Sequence, residues 1–318
     1  MNRPLLSSQT NKTLWRYLAI AFIAIAPVAL FAAFFERSSD LGKPITTPHP
    51  LATTTQSGQN PYVGVPITGQ AAIVYDLSNG QTLFSQNADR TLPLASLTKL
   101  LSVYAGVRQL EPTTPITLSS SSVAVEGESG LLAGETFAFA DLARFALVGS
   151  SNDAAQAITE ELSRRTGTPT SALMASAAVS VGLSATQATN GTGLDIDLLT
   201  SGGYGSARDI ALLAGELVKQ APGIAKATTH PAISMQSAAG VTHSVSNTNQ
   251  GAVAVPGILL SKTGYTDLAG GNLVVVFDSG IDHPIAVVVL GSTIEGRFTD
   301  VNRLVRATQQ HFAGLPAR

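Results

Sequence analysis

The chain contains no cysteine. That excludes a disulfide framework, a thiolate zinc site and a cysteine nucleophile. Charge is scarce as well: 13% of the 318 residues are charged and the net charge is −2. No basic stripe is left to bind nucleic acid. The five histidines, His49, His230, His243, His283 and His311, are scattered without metal-ligand spacing, so neither a metal nor another cofactor is expected. A G-x-S-x-G elbow is missing, which disfavours a Ser-His-Asp hydrolase, and no fixed-period repeat occurs. What the chain does have is apolar residues, at 44%, enough to bury a sizeable core.

Tyr17 to Phe35 is a run without any charge, long enough for a helix that spans the hydrocarbon core. Arg3, Lys12 and Arg16 precede it, whereas Glu36, Arg37, Asp40 and Lys43 cancel behind it. The Lys/Arg excess predicts residues 1–16 in the cytoplasm, 17–35 as a single-pass anchor in the cell (inner) membrane, and the rest outside. Two other readings compete. A cleaved signal peptide would use the small pair Ala24 and Ala26, but Pro27 follows directly, and Phe31 to Phe35 is a poor site. A buried soluble helix is disfavoured by the all-round apolarity of the run. Residues 36–69 repeat Pro, Thr, Gly and Ser (Pro44, Pro48, Pro50, Pro61, Pro66) and read as an extended linker.

A folded domain is expected over residues 70–318. Ala71 to Tyr75 and Thr82 to Phe84, joined by the turn signal Ser78-Asn79-Gly80, predict a hairpin. Pro93 precedes a predicted helix from Leu94 to about Leu110. Leu142, Phe145 and Ala146 share one helical face, and Ala155, Ile158 and Leu162 another. Ser206 and Asp209 form an S-x-x-D capping signature ahead of Ile210, Leu213, Ala214 and Leu217. Strands are predicted over Ile258 to Ser261, Leu273 to Phe277 and Ile285 to Leu290, and a last helix over Thr299 to Phe312. The fold class is therefore α/β, in its α+β form: an antiparallel sheet that joins both chain ends, flanked by helices and preceded by the transmembrane helix.

Three short motifs carry chemistry. In Ser96-Leu97-Thr98-Lys99 the serine and lysine stand at i and i+3 of a helix, so Oγ and Nζ can meet. A lysine whose pKa is depressed by burial can take the proton that makes serine a nucleophile. Alone, such a pair is routine on a solvated helix face. Ser150-Ser151-Asn152 falls on a short loop between two helices, where Asn152 is equally an ordinary N-cap. Lys262-Thr263-Gly264 ends an apolar strand: the lysine and threonine can bind a carboxylate, and the glycine lets a substrate backbone come close. The order S-x-x-K, S-x-N, K-T-G is far more specific than any of its parts.

With these motifs the chain resembles the D-alanyl-D-alanine carboxypeptidases, the low-molecular-mass penicillin-binding proteins of the serine β-lactamase/DD-peptidase superfamily. The likeness extends to Arg90 through Lys99, to Gly134-Glu135 through Ala154, to Asn190-Gly191-Thr192-Gly193-Leu194, and to Lys262 through Gly270. It implies that fold, peptidoglycan stem peptides as substrate, and β-lactams as inhibitors. It implies Ser96 as nucleophile, Lys99 as its base and Ser150 as proton relay. It implies Asn152, Lys262, Thr263, Gly264 and Tyr265 as substrate-binding residues, with the Ser96 and Tyr265 backbone N–H groups as oxyanion hole.

Departures from the family pattern are few. Ser151 stands where the family usually has glycine, a change that could alter substrate preference. The chain stops at Arg318, so the β-rich domain that follows in many members is expected to be missing, and the anchor is at the opposite end. A class A β-lactamase would need a glutamate to activate the deacylating water, yet Thr166 to Gly215 contains only Asp195, Asp197 and Asp209 as carboxylates. A DD-endopeptidase, a transpeptidase and, from another class, a non-catalytic wall-binding protein share the same residues.

Overall fold

The computed structural model describes residues 60–127, 129–251 and 254–314. The expected anchor, Tyr17 to Phe35, lies outside the described residues; none of the described helices is long and apolar enough to cross a membrane.

The strands are β1 (Ala71–Asp76), β2 (Thr82–Gln86), β3 (Leu92–Pro93), β4 (Pro115–Thr117), β5 (Thr136–Ala138) and β6 (Gln187–Ala188). They continue with β7 (Gly203–Gly205), β8 (Ala232–Gln236), β9 (Thr242–Ser246), β10 (Ile258–Thr266), β11 (Gly270–Asp278) and β12 (Pro284–Ser292). The helices are α1 (Thr98–Val107), α2 (Phe139–Val148), α3 (Asn152–Thr166), α4 (Thr170–Val181), α5 (Ala207–Gln220), α6 (Pro222–Ala227) and α7 (Gly296–Ala313). The main sheet has the order β10-β11-β12-β1-β2, antiparallel throughout, so both ends of the domain meet in it. The runs Val274-Val275-Val276 and Val287-Val288-Val289 are buried without alternation, because each face of the sheet is covered. Val274, Val276, Ala286 and Val288 join the core under α1 to α5; Leu273, Val275, Val287 and Val289 join a second core under α7.

Several boundaries differ from the sequence expectation. The expected linker ends before residue 69, since residues 60–69 pack on α7. There Tyr62 is buried and its hydroxyl bonds Thr308 Oγ1 at 3.0 Å, and the Thr68 and Gly69 N–H groups donate to buried Asp300. The expected helix from Leu94 opens instead as a 3-10 turn (Ala95–Leu97) that runs into α1. Lys262-Thr263-Gly264 lies inside β10 rather than at its end. Ser206 does accept the Asp209 N–H, but the Asp209 carboxylate turns to the Ala185 N–H and the Thr186 hydroxyl, so the capping is one-sided. Two of the histidines meet acids in structural contacts: His243 Nε2 lies 2.9 Å from Glu135, and His283 Nε2 lies 2.7 Å from Asp76.

Candidate active site

The site is built where the 3-10 turn, the loop before α3 and edge strand β10 converge. Ala95, just before the nucleophile candidate, has φ of +50°, a left-handed conformation that costs an L-residue about 1 kcal/mol. Buried Asn272 on β11 braces that turn, donating to the carbonyls of Pro93 and Leu94 at 3.0 Å each. Gly264 is needed for the same packing: a Cβ there would lie 2.8 Å from the Leu94 carbonyl oxygen and 3.3 Å from Ala95 Cβ. In the structure the backbone that this glycine admits is that of the nucleophile turn.

Lys99 is fully buried, and its Nζ lies 2.9 Å from Ser96 Oγ and 2.7 Å from the Thr192 carbonyl oxygen. Among the described residues it meets no carboxylate. Burial therefore acts unopposed and pushes its pKa down to about 7. Lys262 repeats the arrangement. It is buried, and its Nζ donates to Ser150 Oγ at 2.9 Å and to the Thr263 carbonyl at 2.9 Å. Its pKa is held well below the ordinary lysine value by burial first, then by the charges of Lys99 and Arg297. Ser150 adopts φ of +60°, a second left-handed residue in the site.

Asn152 donates from Nδ2 to the Glu126 carbonyl at 2.5 Å, while its Oδ1 is buried without a partner among the described residues. The N-cap of α3 is Ser151, not Asn152 as the sequence suggests: Ser151 Oγ accepts the Ala154 N–H at 3.1 Å. The same hydroxyl meets Ser129 Oγ at 2.7 Å, and Ser129 donates to Asp153. Ser151 is buried and ties Ser129 to α3. Ser151→Ala is expected to cost about 1 kcal/mol, the usual loss for an N-cap hydroxyl, whereas Ser151→Gly should cost only a few tenths at the cap. Urea unfolding of the two variants checks this order.

Thr263 is buried, and its hydroxyl donates to Thr248 Oγ1 at 2.6 Å. The Tyr265 side chain is exposed, with its hydroxyl 3.2 Å from Asp267. A groove of about 550 Å³ beside it is lined by Glu126, Leu194, Asp195, Tyr265 and Leu268. The structure adds a residue that the sequence reading missed. Arg297 of α7 is 9% exposed, donates from Nη1 to the Gly264 carbonyl at 2.7 Å and leaves Nε without a partner among the described residues. The signal was present: Arg297 stands four residues before Val301, a cation on the buried stripe of the last helix. Among the described residues, no three His, Cys, Asp or Glu side chains gather as a metal site.

The chain is similar to known proteins over most of its length. A family profile described as D-alanyl-D-alanine carboxypeptidase matches residues 54–293. The D-alanyl-D-alanine carboxypeptidase DacA of Escherichia coli is 30% identical over 260 residues, 76% of this chain and 61% of that protein, so the chain spans about three fifths of this relative's length. Penicillin-binding protein D2 of Listeria monocytogenes, solved in its ampicillin-bound form, is 26% identical with a TM-score of 0.62, covering 76% of this chain and 97% of that one. A D-alanyl-D-alanine carboxypeptidase structure from Mycobacterium tuberculosis is 25% identical with a TM-score of 0.69, covering 80% of this chain and 96% of that one. With the profile matched across well over half of its length, and with the mixed α/β fold of penicillin-binding proteins, the chain belongs to the D-alanyl-D-alanine carboxypeptidase family.

Proposed function

We propose that this protein is a serine-type D-Ala-D-Ala carboxypeptidase that trims peptidoglycan stem peptides through an acyl-serine intermediate. The observation that carries the reading is two buried lysines, each bonded to its own serine, Lys99 to Ser96 and Lys262 to Ser150. In this reading neutral Lys99 takes the Ser96 proton as Oγ bonds the carbonyl carbon between the two terminal D-alanines. The backbone N–H groups of Ser96 and Tyr265 hold the developing oxyanion. The C–N bond then breaks, and Ser150, backed by Lys262, relays to the leaving amine of D-alanine the proton that Lys99 took from Ser96. Asn152 Oδ1 accepts from the substrate peptide. Lys262 and Thr263 hold the terminal carboxylate, with Arg297 adding positive charge behind Gly264. Water hydrolyses the ester and restores Ser96. Tyr17 to Phe35 anchors the chain, and the catalytic domain works outside the cell membrane.

No carboxylate bonds Ser96 or Lys99 among the described residues, so a penicillin that acylates Ser96 lacks a base to release it quickly. The test uses the full chain recovered from the membrane fraction, given a peptide ending in D-Ala-D-Ala, a cross-linked muropeptide dimer and a fluorescent penicillin. Release of D-alanine from the peptide together with a long-lived penicillin label is expected. Cleavage of the dimer alone would make the enzyme an endopeptidase, rapid penicillin turnover would make it a β-lactamase, and no reaction by folded protein would leave a wall-binding module.

A further inference from the structure

In the loop between β6 and β7, groups of Thr192, Gly193 and Leu194 all bond one side chain, that of Asn190. Asn190 Oδ1 accepts from the Thr192 N–H at 3.2 Å, the Thr192 hydroxyl at 3.1 Å and the Gly193 N–H at 2.8 Å. Asn190 Nδ2 donates to the Leu194 carbonyl at 3.1 Å, and the Leu194 N–H returns to Thr192 Oγ1 at 3.1 Å. Nothing in this ring reaches Ser96 directly. Its output is one group, the Thr192 carbonyl, which the folded ring presents to Lys99 Nζ. The neighbouring Gly191 carbonyl accepts from Ser102 Oγ of α1 at 2.6 Å, a second stitch one helical turn further on. Gly193, at φ of +75°, packs so tightly on the nucleophile turn that a Cβ would collide with the Ala95 carbonyl oxygen.

We infer that Asn190 is a positioning residue for acylation: it folds residues 190–194 into a cap that keeps Lys99 dry and fixes the Thr192 carbonyl against its amine. The inference rests on the roles of Ser96 and Lys99 in the proposed function. A neutral amine has two N–H bonds and one lone pair. A carbonyl can only accept, so with Thr192 holding one N–H the lone pair is free to face the Ser96 hydroxyl. The same carbonyl accepts equally well from the ammonium formed when the proton arrives. It carries no net charge, so it leaves intact the depression of the lysine pKa that burial produces. A carboxylate in its place would raise that pKa and weaken the base at neutral pH.

The charged groups near this amine do not cancel that logic. Lys262 of β10 faces it as a like charge, and Arg297 of α7 acts on Lys262. The carboxylates of this loop and of α3 and α5, which pack on α1, are engaged elsewhere: Asp195 with Thr266 and Leu268, Asp153 with Ser129, Glu161 with Arg164 and Arg165, and Asp209 with Ala185 and Thr186.

The experiment measures the acylation rate of the full chain by a fluorescent penicillin between pH 5 and 10, for wild type, Asn190→Ala and Asn190→Asp, with thermal unfolding alongside. In Asn190→Ala the opened loop admits water to Lys99. The rate at pH 7 is expected to fall about 10- to 100-fold, and the midpoint of the rising limb to move up by about one unit or more, with the rate recovering at high pH. Loss by one common factor at every pH, or no loss, would reduce Asn190 to a structural residue and overturn the inference. If Asn190→Ala does not fold, Asn190→Asp decides. It keeps an acceptor for the loop N–H groups and brings a carboxylate near the amine, so its midpoint also moves up; an unmoved midpoint overturns the inference. Wild type that takes no label at any pH would sink the proposed function and this inference together, whereas a labelled wild type with an unshifted variant sinks the inference alone.

Discussion

Ser96→Ala is expected to abolish covalent penicillin labelling and to cut D-alanine release by about 10³-fold or more, the scale of loss when a nucleophile is removed from a catalytic group that acts as a unit. The fold should survive. Ser96 is only half-buried, it sits in a 3-10 turn rather than in the hydrophobic core, and among the described residues its hydroxyl bonds only Lys99. The turn is held instead by Asn272 and by the fit of Gly264 against Leu94 and Ala95. The variant therefore separates binding from chemistry. A stem peptide should still bind, because the groups proposed to hold it lie on β10 and at the start of α3. Mass spectrometry of the intact protein after penicillin treatment reads the result. An adduct of unchanged yield on Ser96→Ala would move the nucleophile elsewhere, with Ser150 the first residue to examine.

Much of this arrangement was legible in the sequence, and each part that was not has its own physical cause. The hairpin of β1 and β2 and the strands β11 and β12 announce themselves through β-branched runs and the turn signals Ser78-Asn79-Gly80 and Asp278-Ser279-Gly280. The i, i+3 spacing of Ser96 and Lys99 and their pairing follow from local geometry, and the structure places them 2.9 Å apart. Contacts between distant segments are another matter. Nothing local in Asn272 shows that it braces a turn 178 residues earlier. Nothing local in Thr192 shows that its carbonyl meets Lys99. The β8–β9 hairpin is hard to see because its inward stripe is short and shallow: Ile233, Met235, His243 and Val245 alternate with exposed residues, but only Met235 is buried. Helix α4 hides for a different reason: Val179 is 76% exposed, so its apolar residues do not mark one face. Arg297 was missed because the last helix was expected to begin at Thr299, whereas α7 begins at Gly296 and so includes this cation, which is costly to bury without a purpose.

Lys99→Met is expected to combine a large loss of activity with a gain in stability, and the two effects share one cause. With no amine to take the Ser96 proton, acylation should fall by about 10³-fold, the middle of the range for a general base, and the rising limb that wild type shows through about pH 7 should vanish. Burial lowers the Lys99 pKa from 10.5 to about 7 in the folded chain, so between these values the unfolded state binds the extra proton. Stability therefore rises with pH across that window, and the cost of burying Lys99 is fully present below it. Methionine removes that cost but leaves the Thr192 carbonyl without its donor, a penalty of about 1–3 kcal/mol. Each pKa unit is worth about 1.4 kcal/mol, so the relief outweighs the lost bond at pH 6 and fades as the pH approaches 10. Urea unfolding at both values checks it: Lys99→Met should exceed wild type in stability at pH 6, and the difference should shrink or reverse at pH 10. A difference that stays constant with pH would mean that Lys99 keeps its ordinary pKa in the folded chain, and the amine would then be protonated at neutral pH and unable to serve as the base for Ser96.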